Sequence, residues 1–179
     1  MTTSDDDVKK IKDQFSSEVV KDEVDQMGVP VVWIRRESVK DLMVFIKDSL
    51  EYVFLADLTA YDEQGSDEEE LGRFVVVYQL SCPKGKMKRL RVKTRLPEDD
   101  CKIDTITSLW SAANWAEREV YDMFGIKFQG HPDLRRILMD IRWEGHPLRK
   151  DYPIRKYQLF VLPEEMPEHL LKEDLQWKQ

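Results

Sequence analysis

Two histidines stand in echoing surroundings, His131 in Gly130-His-Pro132-Asp133-Leu-Arg135-Arg136 and His146 in Gly145-His-Pro147-Leu148-Arg149-Lys150. In each stretch glycine permits an unusual turn, proline fixes the exit, and the residue before proline is pushed extended. The imidazoles are therefore expected on stiff, non-helical backbone. With Asp133, Asp140, Glu144 or Asp151 they could begin a metal site, but catalytic zinc generally takes three protein ligands. The one other histidine is His169, in the tail. The favoured reading is that both rings hydrogen-bond backbone and lock their turns. A second concentration of reactive groups is Glu117, Arg118, Glu119 and Asp122. On a helix, 119 and 122 share a face while 118 lies roughly opposite 116 and 120. The plain reading is a solvated helix face. The functional reading is an ion-pair set that holds Arg135, Arg136 or Arg149, or a neighbouring chain, in bidentate geometry. General acid–base work would need a pocket and a substrate-binding set, and the sequence offers neither.

Three other patterns lead less far. Lys84, Lys86, Lys88, Arg89, Arg91, Lys93 and Arg95 contain no interleaved acid. A nucleic-acid ribbon would interleave aromatics for base stacking, and this one does not. It reads as the wet face of a hairpin whose cations discourage edge pairing. Gly125-Ile-Lys-Phe-Gln-Gly130 has the glycine spacing of a phosphate loop but continues His-Pro instead of Lys-Ser/Thr, which removes the phosphate and Mg²⁺ groups. Cys82 and Cys101, with no C-x-x-C pair, read as free thiols and not as ligands of zinc or an iron–sulfur centre.

The elements that must position these groups follow from periodicity and punctuation. Val8, Ile11 and Phe15 mark an amphipathic helix over 5–15. Two short strands follow around Gly28 and Pro30. Ser38 reads as an N-cap with Asp41 in the capping-box position, opening a helix that ends near Ser49. Residues 52–61 form a third strand, and 64–70 a polar loop with four consecutive acids. The run Phe74 to Tyr78 suits a central strand buried on both faces. Met87 to Leu96 alternates as the partner of a hairpin. The best helix of the second half carries Ala112, Ala113, Ala116, Val120, Met123 and Phe124 as its core stripe, with Gly125 as C-cap. Beyond it, prolines at 132, 147, 153, 163 and 167 and little periodicity describe a segment without a core of its own. Such a segment must lie along its own body or a partner. The sequence thus predicts an α+β fold with a mixed or antiparallel sheet covered by helices in two layers. Residues 1–128 form the α+β domain, and 129–179 an extended, partner-docking segment.

One stretch carries a family resemblance. Ala113-Asn-Trp115-Ala-Glu117-Arg118-Glu119-Val-Tyr-Asp122-Met-Phe124-Gly125-Ile, then the Gly130 and Gly145 motifs, then Asp151-Tyr152-Pro153 preceded by Trp143, resemble the signature of the C-type (NuoC-like) subunit of proton-pumping NADH:quinone oxidoreductase, respiratory complex I. The resemblance runs from about 112 to 153; Ser111 stands where many members carry proline. It implies a hydrophilic, non-catalytic member of the peripheral arm, with no catalytic, cofactor-binding or metal residues of its own. FMN and iron–sulfur clusters would sit in other subunits. The implied partners are the hydrogenase-like large (D-type) subunit of the quinone site and the B-type iron–sulfur subunit. The implied location is the cytoplasmic face of the bacterial inner membrane, reached only through the complex. The role implied is to scaffold electron transfer from NADH to quinone coupled to proton translocation. The same motifs fit the equivalent subunit of a ferredoxin-driven or photosynthetic complex or a membrane-bound hydrogenase, because the electron donor binds elsewhere. A small metal-dependent enzyme using His131 and His146 is the remote alternative.

Composition agrees with a folded protein of this kind. The chain has 179 residues, 41 per cent hydrophobic, and a net charge of −7, which excludes a disordered chain and argues against bulk nucleic-acid coating. The longest stretch free of formal charge, 105–116, is too short for a bilayer-spanning helix of about 20 residues. The acidic N-terminus resembles neither a secretory signal nor a transit peptide. Against the overall acidity, residues 126–156 hold eight Lys or Arg and four Asp or Glu. The basic surplus coincides with the signature.

Overall fold

A computed structural model describes residues 3–65, 72–83 and 87–155. The acidic run 67–70, Lys84, Lys86, and the tail with His169 and its prolines lie outside the described residues. Helix α1 (Thr3–Gln14) buries Val8 and Ile11. Strand β1 (Val19–Val24) turns back antiparallel into β2 (Pro30–Ile34). Asp25 Oδ1 shapes that turn by accepting the N–H groups of Met27 and Val29, both at 2.8 Å. Helix α2 (Val39–Asp48) packs Leu42, Met43 and Ile46 inward and ends at Ser49, as its pattern requires. Its expected Ser38 side-chain cap is absent. A 3-10 turn over Arg36–Ser38 runs straight into the helix, and the Val39 N–H is already held by the Arg36 carbonyl.

Strands β3 (Phe54–Asp62), β4 (Phe74–Cys82) and β5 (Lys88–Leu96) complete a five-stranded sheet in the order β1-β2-β5-β4-β3. Only β2 and β5 run parallel. Phe74 to Tyr78 is buried without interruption, as expected of a strand paired on both sides. The basic strand β5, however, occupies the centre of the sheet, so its cations have no edge to protect. Arg91, Lys93 and Arg95 lie instead on the sheet's second face, beside a small apolar cluster of Val31, Trp33, Val75 and Val77, while Lys88 pairs with Asp7 at 2.8 Å. Lys93 stands 4.8 Å from the Trp33 ring centre and Arg91 pairs with Asp25 at 2.9 Å. Burial in that layer lowers the Lys93 ammonium below its ordinary pKa.

On the other face, Leu90, Val92 and Leu96 of β5 meet Phe74, Val76, Tyr78 and Leu80 of β4 beneath all three helices. Each such side chain contributes about 1.5–3 kcal/mol when fully buried, so this single core carries most of the fold. Helix α3 (Ala113–Phe124) lies chiefly against β3. Short parallel strands β6 (Lys102–Asp104) and β7 (Lys127–Gln129) tie the chain before α3 to the chain after it. Neither cysteine is in a disulfide: Cys82 is buried and Cys101 half-buried, and burial pushes the Cys101 thiol up to about 11. Among the described residues no helix is long and apolar enough to cross a membrane.

Candidate functional site: a braced surface on helix α3

Helix α3 buries two acids on different sides, Glu117 towards the chain before the helix and Asp122 towards the chain after it. Glu117 and Asp122 are both buried, alongside Ala113, Val120, Met123 and Phe124. The solvated-face reading is therefore corrected for these two acids and holds for Glu119, which is exposed. Ala112 precedes the helix and is exposed rather than core. Asp122 is fully paired. Its Oδ2 accepts the N–H groups of Ile137, Leu138 and Met139 at 2.8–3.0 Å, and its Oδ1 the Arg136 guanidinium at 2.7 Å. Burial alone would raise its pKa; the three N–H groups and Arg136 outweigh that and hold it below the usual carboxylate range. Glu117 meets no cation among the described residues. It accepts Thr105 Oγ1–H at 2.5 Å and the Ile106 N–H at 2.8 Å, and burial pushes its carboxyl up to about 7 against both bonds.

The two histidine motifs brace opposite ends of the helix. His131 Nε2–H donates to the Asn114 carbonyl at 3.1 Å, while its Nδ1 accepts the Asp133 N–H at 2.9 Å. That pattern selects the neutral Nε2-protonated tautomer. Residues 146–149 serve the C-terminal end, where a helix leaves carbonyls without intrahelical partners. His146 Nδ1–H donates to Asp122 O at 3.0 Å, the Leu148 N–H to Met123 O at 3.1 Å, and Arg149 Nε–H to Phe124 O at 2.6 Å. The Arg149 charge also complements the negative end of the helix dipole. Gly125 turns the chain away at φ 79°, with its N–H on Tyr121 O. A Cβ at Gly125 would stand 2.6 Å from His146 Nε2 and 2.7 Å from Arg149 Nη2, so glycine is required for both angle and space. The phosphate-loop spacing is thereby explained as helix cap, strand β7 and turn.

The segment continues as a strap. Arg118 donates to the carbonyls of Arg135 and Arg136 at 3.0 and 3.1 Å and lies over the Trp115 ring. Arg136 also reaches Gly145 O at 2.9 Å. Arg135 closes bidentately on Asp133, and Arg142 on Asp140. Trp143 stacks on Tyr152, whose ring leaves no room for a Cβ on Gly145. The strap ends on the sheet: Asp151 pairs with Arg73 at 2.7 Å, and the Lys150 N–H meets Asp62 at 2.8 Å. Of the two options the sequence left open, residues 130–155 lie along their own body.

The structure thus gathers the signature residues around α3, with His131 and His146 at different ends of it. No group of three or more His, Cys, Asp or Glu side chains that could hold a metal occurs among the described residues. Pro132, Pro147 and Pro153 shape the strap without polar contacts of their own. Sequence reasoning missed Thr105 and the buried pair Arg73–Asp62, where Arg73 also binds Glu98 at 2.6 Å. The one available signal was Arg73 standing directly before an apolar strand.

Among the charged residues that also face outward on this framework, four large apolar side chains are exposed. Trp115, Leu138 and Leu148 are 62, 61 and 54 per cent exposed, and Ile154 is fully exposed. Fold and site together define an α+β protein whose charged strap caps and braces its third helix. The family model described as respiratory-chain NADH dehydrogenase, 30 Kd subunit, matches residues 32–158, and the chain belongs to that family. It is 47 per cent identical over 148 residues to the C-type subunit of NADH-quinone oxidoreductase from Geobacter sulfurreducens, covering 83 per cent of this chain and 88 per cent of that one. It is 39 per cent identical over 175 residues to the C/D-type subunit of NADH-quinone oxidoreductase from Proteus mirabilis, covering 94 per cent of this chain and 28 per cent of that longer protein. Among solved structures, a trypsin-resistant fragment (1-134) of Nqo5 superposes with a TM-score of 0.64 at 34 per cent identity, over 73 per cent of this chain and 98 per cent of the fragment. A chain of an archaeal membrane-bound sulfane sulfur reductase shares the fold, with a TM-score of 0.71 at 24 per cent identity over 86 and 88 per cent of the two chains.

Proposed function

We propose that this chain is a non-catalytic scaffold of the peripheral arm of NADH-quinone oxidoreductase, holding the hydrogenase-like large subunit beside the quinone site. The carrying observation is the division of labour on α3 and its strap. Hooks such as Asp122 and Arg149 fix the strap to α3, while Trp115, Leu138, Leu148 and Ile154 are left outward. Exposed apolar side chains on a preorganised surface favour docking, because little ordering entropy is left to lose. The Proteus mirabilis relative, whose name joins C and D types in one chain, supports the D-type subunit as the partner. In this reading FMN and iron–sulfur clusters belong to other subunits, a B-type iron–sulfur subunit lies close by, and the membrane is met only through the complex, at the cytoplasmic face.

The test is affinity recovery of the tagged full chain from cells that make its complex, followed by native mass spectrometry. A hydrogenase-like large subunit in stoichiometric amount is expected. Recovery of RNA in its place, or of one equivalent of zinc on the chain alone, overturns the reading. Arg118→Ala, which removes two hydrogen bonds between α3 and the strap, should lower recovery of the large subunit; an intact but inactive complex would instead give Arg118 a part in the reaction.

A further inference from the structure

Strand β3 forms one edge of the sheet: among the described residues it pairs only with β4. Its outer row of backbone N–H and C=O groups therefore faces away from the ladder. Ala56, Asp57 and Thr59 are exposed on this strand, while Leu55, Leu58 and Ala60 are buried in the core towards α3. A bulge interrupts the register between Leu55 and Asp57, which leaves 57–62 as a regular stretch. The two edges of the sheet are protected unequally. β1 carries Lys21, Asp22 and Glu23 in a row, and charges on an edge discourage pairing with other chains. The one exposed charge of β3 is Asp57.

The strap brings the chain back to the end of this strand. The Lys150 N–H meets Asp62 Oδ2 at 2.8 Å, and Lys150 Nζ donates to the Gln64 carbonyl at 3.1 Å. A little further along the sequence stands Tyr157-Gln-Leu-Phe-Val-Leu162, which has no formal charge and is bounded by Lys156 and Pro163. It is rich in strand-forming types, and an uncharged run of this composition left in solvent invites aggregation. At about 3.4 Å per residue it spans about 20 Å, the length of the regular part of β3. The connection from Lys150 can cover about 24 Å, which reaches the edge with slack. A chain that starts from the Asp62 end runs antiparallel to β3. Charge agrees with this direction. Arg155 and Lys156 precede the run, and the acids Asp67, Glu68, Glu69 and Glu70 follow β3 in the sequence. Asp62 and Glu63 at the same end are already paired, with Arg73 and Arg95.

We infer that residues 157–162 add to the open edge of β3 as a sixth, antiparallel strand, so that the strap continues along its own sheet. Pro163 has no N–H to donate and ends the ladder about where the bulge ends regular pairing. The addition satisfies backbone groups on both partners and hides two pairing-prone segments from other chains at once. The tether decides the occupant. A segment held beside the edge by a short connection acts at an effective concentration of about millimolar, which a strand from a partner subunit or a second copy would have to outcompete. The assignment is independent of the docking surface on α3.

Hydrogen exchange of the isolated full chain, resolved to single amides, tests the pairing. Alternate amides within 157–162 should exchange at least about tenfold more slowly than in an unstructured chain. Leu159→Pro with Phe160→Pro removes one N–H from each side of the run. That double variant should return the remaining amides of 157–162 to the unstructured rate and accelerate the outward amides of 57–62, while β4 and β5 stay protected. The photo-cross-linker p-benzoylphenylalanine at Thr59, exposed midway along the edge, then identifies the neighbour in cells that assemble the complex. An adduct within one chain, to a peptide containing 157–162, is expected. A run that exchanges at the unstructured rate overturns the inference, as does protection that survives the double proline. A Thr59 adduct to a partner subunit or to a second copy overturns it too, as does the absence of any adduct to 157–162. Recovery of the large subunit by a chain whose run is unprotected removes this inference alone and leaves the scaffold reading standing.

Discussion

Asp122 and Glu117 occupy one helix and titrate in opposite directions, and the reason is what each carboxylate touches. Asp122 is held ionised by Arg136 and three backbone N–H groups. Asp122→Asn would remove the charge and turn an amide donor towards donors, leaving Arg136 half-buried without its anion. Loss of about 3 kcal/mol in denaturant unfolding at pH 7 is expected, in the range for breaking a buried pair from one side. Glu117 has no such partner and is raised from the ordinary value of 4.5 to about 7. Below pH 4.5 both folded and unfolded states hold the proton, and the glutamate costs nothing extra. Between 4.5 and 7 only the folded state keeps it, so stability falls as pH rises and then levels. The integrated loss is about 3 kcal/mol at 1.36 kcal/mol per pH unit. A protonated Glu117 can donate to Thr105 Oγ1, which passes its own proton to Thr107 Oγ1 at 2.9 Å. Glu117→Gln reproduces that arrangement at every pH. The variant should match the native chain near pH 4.5 and exceed its stability at pH 8, measured by urea midpoints across the range. Parallel pH profiles for the two proteins would refute the assignment.

At the scale of the element, α3 and its strap form one unit, because the helix's last carbonyls are closed by residues far along the chain. Gly125→Ala tests that unit. The substitution forces a positive φ on a side chain, at about 1–3 kcal/mol, and drives its methyl into His146 and Arg149. Hydrogen exchange should therefore accelerate at the amides of 146–152 and at the end of α3, while the amides of β4 and β5 stay protected. Uniform acceleration over the whole chain would mean the cap is not a separate unit. This element also shows where sequence legibility stops. The helix, its apolar stripe and its terminal glycine could be read from spacing, since local backbone preference and one buried face decide them. The buried acids could not, because their satisfaction comes from groups 11 to 17 positions away, and a charged residue alone reads as solvated. The imidazoles could be read as turn locks, but not which carbonyls they close. Likewise β5 alternated visibly, yet its place at the centre depends on parallel pairing with β2, which no local pattern encodes. The Ser38 cap failed for a local reason: a 3-10 turn runs straight into the helix and holds Ser38 at φ −102°, ψ 3°, away from the extended conformation a capping side chain needs.

For the molecule as a whole, the strap is tied to the sheet at its far end by the Arg73 node. Arg73 is buried beside Asp62 and stays charged at any working pH, raised by Asp62 first and by Asp151 and Glu98 as well. The outward residues are thus presented by a frame that does not depend on them, and stability and docking should separate under mutation. Leu138 and Leu148 are more than half exposed, and neither side chain carries a polar bond; only their backbone N–H groups do. Leu138→Asp with Leu148→Asp should therefore change unfolding free energy by less than about 1 kcal/mol, the ordinary scale for two surface substitutions. The same double variant places two carboxylates in the contact proposed for the large subunit. Without paired cations across the interface, their desolvation opposes association. Native mass spectrometry of cells making the variant should then show the folded chain free of the large subunit. Retained association in a folded double variant would remove the α3 surface as the docking site, and a variant that failed to fold would show that the frame does lean on its outward residues.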